Sequence, residues 1–133
     1  MATSSKRALR ILVAEDEDVI ANICRRALAS EGFEVDVAAN GKIAQHMARN
    51  NGYALFLIDI KMPIMSGKEF FHWLHKKQPR LASRVAFISG DLMAQTTGTF
   101  LQESGKPFLP KPFTPDELRS FVRQSLVECQ CLV

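Results

Sequence analysis

A doubly wound α/β sandwich is the fold class this sequence predicts, and three observations carry it. Short apolar runs without polar alternation recur along the chain. Amphipathic stretches with helical spacing separate them. The two kinds of segment alternate as five βα units. Strands that do not alternate are buried on both faces, which calls for a parallel sheet covered by helices on each side. The 133 residues suit one domain, and right-handed crossovers leave few topologies.

Arg10 to Ala14 (RILVA) reads as the first buried strand. Asp18 to Ser30 follows as a helix with an apolar stripe of Val19, Ile20, Ile23, Cys24, Ala27 and Leu28, which Gly32 is placed to end. Glu34 to Ala38 (EVDVA) is a short second strand, and Gly41 to Asn50 a short helix with Ile43, Ala44, Met47 and Ala48 inward. Ala54 to Ile58 (ALFLI) runs as a third strand into Asp59. Ser66 to Lys77 is a helix with Phe70, Phe71 and Leu74 inward, and Arg84 to Ile88 a fourth strand. Thr96, Thr97, Gly98 and Thr99 fall in the fourth unit's helix, between Asp91 and Ser104. Glycine costs about 1 kcal/mol against alanine in a helix and threonine about half that, so this helix is expected to be weak or frayed unless tertiary contacts hold it. Phe108-Leu109 is the centre of the fifth strand. The last helix has the clearest start: Thr114 caps it, Pro115 fits the first position, and Glu117 completes a capping box. Leu118, Phe121, Val122 and Leu126 give its buried face.

The composition, 47% hydrophobic and 23% charged, is that of a soluble globular domain. Such a domain buries roughly two thirds of its extended-chain surface and needs no staples. No apolar run approaches the roughly 20 residues a membrane helix needs. The first ten residues are polar and basic with no apolar centre, so no signal peptide is read and a cytoplasmic location is expected. Cys24, Cys129 and Cys131 make no disulfide framework or zinc pattern. The net charge of +3 owes much to Lys6, Arg7 and Arg10, and no basic stripe marks a nucleic-acid or membrane partner. The domain is expected over residues 9–128, with flexible termini at 1–8 and 129–133.

Acids, a hydroxyl and a lysine stand where the strands end. Glu15 and Asp16 follow the first strand, Asp59 the third and Ser89 the fourth, and Lys111 lies past the fifth. Ligands of open α/β sheets bind at the carboxyl ends of strands where the order reverses. In the flavodoxin-like order 2-1-3-4-5, strands one and three adjoin at that point. Glu15, Asp16, Asp59, Ser89 and Lys111 then converge on one pocket. Carboxylates 4 Å apart repel by about 4 kcal/mol per pair at an effective dielectric of 20, and a hard divalent cation relieves this. Mg²⁺ and Lys111 would balance the three acids and leave room for a phosphoryl group, with Asp59 as nucleophile.

Four segments, ILVAEDE, LFLIDIKMPIMSG, AFISGD and FLPKPF, resemble bacterial response-regulator receiver domains in order and spacing, and the resemblance runs from Arg10 to about Val127. It implies a (βα)5 fold and Asp59 as the site phosphorylated by a histidine kinase or histidine phosphotransfer protein. Asp16 would bind Mg²⁺ directly, Glu15 through water, and Lys61 through its backbone carbonyl. Ser89 would hydrogen-bond a phosphoryl oxygen and Lys111 would pair with it. Phe108 would be the aromatic switch, Lys111-Pro112 the cis peptide, and the fourth helix, fifth strand and fifth helix the output face. No enzymatic activity is implied beyond Mg²⁺-dependent self-phosphorylation and self-dephosphorylation.

Glu15 stands where aspartate is commoner, Ser89 replaces threonine, and Phe108 replaces tyrosine and loses a phenolic hydrogen bond. From the sequence alone Phe108 reads as core rather than switch. Lys61 and Asp91, each two residues beyond a site residue, are expected to pair across the pocket mouth and slow hydrolysis of the acyl phosphate. His46, His72 and His75 read as surface residues, and Trp73, off the Phe70–Phe71–Leu74 stripe, as partly exposed, a mark of a partner contact or only the common case of a single exposed aromatic. A dehalogenase-like phosphatase would need a second aspartate where Lys61 stands. A flavodoxin would need a phosphate loop where the acids 15–18 stand. The alternative is a pseudo-receiver that serves only as an interaction module. No output segment is read after the last helix, and FLPKPF and ISGD lean towards hybrid-kinase receivers, so a free-standing or hybrid-kinase domain is expected.

Overall fold

The computed structural model describes residues 8–90 and 95–129. Its strands are β1 (Arg10–Ala14), β2 (Glu34–Ala38), β3 (Leu55–Asp59), β4 (Val85–Ser89) and β5 (Phe108–Pro110). They form one parallel sheet in the order β2-β1-β3-β4-β5, the order the sequence predicts. The helices are α1 (Asp18–Ala29), α2 (Gly41–Asn50), α3 (Gly67–Lys77), α4 (Pro79–Ala82), α5 (Gln95–Ser104) and α6 (Pro115–Glu128).

Alternate residues of the central strands point to opposite faces, and each face builds its own core. Leu12, Ala14, Phe56, Ile58, Val85 and Phe87 face α2, α3 and α5. Ile11, Val13, Leu55, Leu57, Ala86 and Ile88 face α1 and α6, against Cys24, Leu28, Leu118, Val122 and Leu126. Each fully buried valine, leucine, isoleucine or phenylalanine among them contributes roughly 1.5–3 kcal/mol. Ser66 and Thr114 each close a full capping box, with Glu69 and Glu117, so α3 and α6 start where their sequences say.

Several expectations are corrected. Val19 is 72% exposed and Ile23 and Ile43 also lie outward, while Ala21 and Gln45 take buried places. The sheet and α6 cover a narrower face of α1 than its apolar stripe spans. The four-residue α4 between α3 and β4 is too short to leave a periodic signal. Phe108 is 44% exposed and is not a core residue, because β5 is an edge strand of the sheet. Helix α5 buries Thr97, Phe100 and Leu101 despite its threonines and glycine. Phe100 meets Phe87 and Phe71 edge-on at 5.2 and 5.9 Å, so tertiary contact supplies what propensity lacks. Trp73 is partly exposed, as expected, and is stacked on Phe70 with Arg49 over its ring.

Candidate functional site

The register places the candidate side chains. Ala14 pairs with Ile58, Asp59 with Ile88 and Ser89 with Pro110, so the strands finish together. The residues that end or follow them surround an open pocket of about 230 Å³ lined by Asp16, Glu17, Asp59, Lys61, Ser89, Gly90 and Lys111. Asp59 and Ser89 are the last residues of buried strands and are themselves buried. The Lys111 backbone N–H donates to the Ser89 carbonyl at 2.8 Å, and the Lys111-Pro112 bond is cis.

The Lys111 ammonium is the centre of the site. Its Nζ donates hydrogen bonds to Asp59 Oδ2 at 3.0 Å and to Glu17 Oε1 at 3.2 Å. It also lies 2.9 Å from Glu15 Oε1. That last contact is an ion pair without hydrogen-bond alignment, and Glu15 Oε1 is buried with no hydrogen-bond partner among the described residues. The other Glu15 oxygen accepts the Glu17 backbone N–H at 3.1 Å. Burial pushes the Glu15 carboxyl up to about 7, reinforced by the Asp59 charge and opposed by Lys111. Burial works to lower the Lys111 ammonium, but its contacts with Glu15 and Asp59 outweigh this and raise it above the usual lysine range.

Glu15, Glu17 and Asp59 each offer a carboxylate oxygen within 4.8 Å of the others. These are hard oxygen donors, one of them a buried oxygen lacking a hydrogen bond, and the set fits a hard divalent cation such as Mg²⁺. Asp16 is the acid expected in this cluster from the sequence, and Glu17 is not. Asp16 is exposed and lines the same pocket, outside the close carboxylate set. Glu17 was hidden because it stands in a run of acids, and only its reach across to Lys111 sets it apart. Lys61 lies at the pocket wall, where its backbone N–H is 3.4 Å from Asp59 Oδ1. Asp91, its expected partner, is outside the described residues. A separate recess of about 280 Å³ between α3 and α5, walled by Phe71, His72, His75, Phe100, Glu103 and Ser104, lies away from the strand ends.

Comparison with known proteins agrees with this fold. The model of the response regulator receiver domain family matches residues 11–123. The transcriptional regulatory protein TctD of Salmonella typhimurium is 33% identical over 118 residues, 89% of this chain and 52% of that protein. The transcriptional regulatory protein SrrA of Staphylococcus aureus is 31% identical over 110 residues, 81% of this chain and 44% of that protein. The chain thus spans about half the length of the regulators it matches. Among solved structures, a receiver domain protein of Methanospirillum hungatei superposes with a TM-score of 0.83 at 27% identity, covering 94% of this chain and 98% of that one. The response regulator TrrA of Thermotoga maritima, in complex with Mg²⁺ and BeF, superposes with a TM-score of 0.75 at 28% identity, covering 88% and 98%.

Proposed function

The chain belongs to the response regulator receiver domain family, and from that premise we propose that Asp59 accepts a phosphoryl group from a histidine kinase or a histidine phosphotransfer protein. The observation that carries this reading is the contact of Lys111 Nζ with Asp59 Oδ2, 52 residues apart in sequence, at the aligned strand ends. An Asp59 oxygen forms the new bond to phosphorus as the bond from phosphorus to the donor's imidazole nitrogen breaks. That nitrogen keeps the electron pair, and a carboxylate nucleophile needs no separate base. Lys111 pairs with a phosphoryl oxygen and the Ser89 hydroxyl hydrogen-bonds another. Glu15 and Asp59 of the close carboxylate set, with the Lys61 carbonyl, would hold Mg²⁺, and Asp16, which lines the same pocket outside that set, would turn in to complete the ligands as Glu17 turns away; the bound ion offsets the charge of the phosphoryl oxygens.

The switch is read in the same frame. Ser89 and Phe108 lie on neighbouring strands, and Phe108 turns inward as Ser89 is drawn to the phosphoryl group. The face of α5, β5 and α6 then changes, and Lys61 with Asp91 shields the acyl phosphate. What the whole protein regulates, and whether its output is transcriptional as the names of TctD and SrrA state for those proteins, belongs with these proposals.

The test is incubation of wild type and Asp59→Asn with acetyl phosphate, with and without Mg²⁺, followed by phosphate-affinity electrophoresis. One phosphoryl group on the wild type, dependent on both Asp59 and Mg²⁺, is expected. No Asp59-dependent modification would favour the pseudo-receiver reading.

A further inference from the structure

We propose that Glu17 is an internal counter-anion that occupies Lys111 until a phosphoryl oxygen takes its place, and so sets how readily the pocket accepts a phosphoryl group. The inference rests on the reading of Asp59 as phosphoacceptor and adds a positioning residue to that site.

Lys111 Nζ donates hydrogen bonds to Asp59 and Glu17, and Glu15 Oε1 lies 2.9 Å away as an ion pair, so three carboxylate oxygens crowd the ammonium within 3.2 Å. An anionic phosphoryl oxygen that approaches Lys111 meets this shell and displaces its most mobile member. Glu15 is held in place, its side chain fully buried and its second oxygen on a backbone N–H. Asp59 is the nucleophile, and its side chain is only 7% exposed. The Glu17 side chain is 60% exposed and can turn into water. It is therefore the ligand of Lys111 that leaves.

A second observation separates this contact from ordinary helix capping. Glu17 is the N-cap residue of α1, yet its side chain makes no capping hydrogen bond. It reaches instead to a lysine 94 residues away. Its loss should leave the start of α1 nearly unchanged and alter the state of Lys111.

The experiment uses the full chain as wild type, Glu17→Ala and Asp18→Asn. Asp18, in the first turn of α1, carries the same charge next to Glu17, whereas the ion pairs of Lys111 among the described residues are with Glu15, Glu17 and Asp59, so Asp18 controls for general electrostatics. Phosphorylation by acetyl phosphate is timed at saturating Mg²⁺. The lysine side-chain ammonium signals are compared by NMR in Mg²⁺-free protein without donor. An exposed ion pair of this kind predicts a gain of about two- to five-fold in the rate for Glu17→Ala. Asp18→Asn should match the wild type, and the Lys111 ammonium signal should shift or exchange faster with water only in Glu17→Ala. A Glu17→Ala rate equal to or below wild type, an equal gain in Asp18→Asn, or an unchanged Lys111 signal overturns the proposal. A wild type that accepts no phosphoryl group sinks the phosphoacceptor reading instead, and the NMR comparison still decides whether Glu17 holds Lys111.

Discussion

Gly67 lies against the backbone of Asp59 so closely that a Cβ on Gly67 would stand 2.1 Å from the Asp59 carbonyl oxygen. The first residue of α3 thus packs on the residue that ends β3, and the Gly67 N–H also donates to the Ile60 carbonyl at 2.9 Å. The obstacle is backbone, so no side chain can turn away to relieve it. Gly67→Ala should cost about 1–3 kcal/mol, the usual range for overpacking, and should shift the Asp59 side chain. Urea unfolding measures the first effect and the phosphorylation rate the second. A variant with wild-type stability would show that α3 can slide along β3.

The buried Glu15 carboxyl gives the Mg²⁺-free protein a pH dependence of defined sign. Its folded value is raised from 4.5 to about 7, chiefly by burial, so the folded state binds the proton more tightly than the unfolded chain. The stability linked to that proton is fully present below pH 4.5 and is lost as pH rises through 7. At about 1.4 kcal/mol per unit, the loss is up to about 3 kcal/mol. Without Mg²⁺, the Glu15-linked part of the unfolding free energy should therefore fall between pH 4.5 and about 7, and Glu15→Gln should flatten that fall. Added Mg²⁺ should stabilise more at pH 8 than at pH 6, since cation and proton compete for the same oxygens. A Glu15→Gln profile parallel to the wild type would remove Glu15 as the cause.

The strands, their order and the carboxyl-end constellation were readable because they depend on patterns that survive without coordinates. Buried parallel strands such as Leu55–Asp59 are apolar runs, and parallel connections force Asp59, Ser89 and Lys111 to one end. What could not be read depends on side-chain direction or on single backbone angles. Val19 and Ile20 are adjacent apolar residues, and only the position of α1 on the sheet leaves Val19 72% exposed. Glu17 differs from Asp16 and Asp18 in the sequence by one methylene, and in the fold by its contact with Lys111.

Ile64 is a further feature that no apolar pattern shows. It sits in the β3–α3 connection with φ of 70° and 78% of its surface exposed. A β-branched residue in the left-handed region carries about 1–2 kcal/mol of steric cost, and asparagine tolerates that region far better. Little apolar burial is lost by the exchange. Ile64→Asn should therefore raise the unfolding free energy by about 0.5–1 kcal/mol, read as a higher urea midpoint with unchanged slope. A lower midpoint would mean that Ile64 makes apolar contacts worth more than the backbone cost.

Phe108 and Phe87 are register partners on adjacent strands, yet Phe87 is fully buried and Phe108 is 44% exposed. Phe87 contacts both Phe71 and Phe100 edge-on, so its removal opens a cavity under three elements. Phe87→Ala should cost about 3–5 kcal/mol in the unphosphorylated protein, whereas Phe108→Ala should cost less than about 1 kcal/mol. If Phe108 turns inward on phosphorylation, the order changes: burial then adds roughly 1.5–3 kcal/mol in that state. Beryllofluoride with Mg²⁺ provides a stable surrogate for the phosphoryl group, and its stabilisation of the fold should be smaller in Phe108→Ala than in the wild type. Equal stabilisation in the two proteins would show that Phe108 stays outward in both states and that the switch runs through Ser89 and the backbone alone.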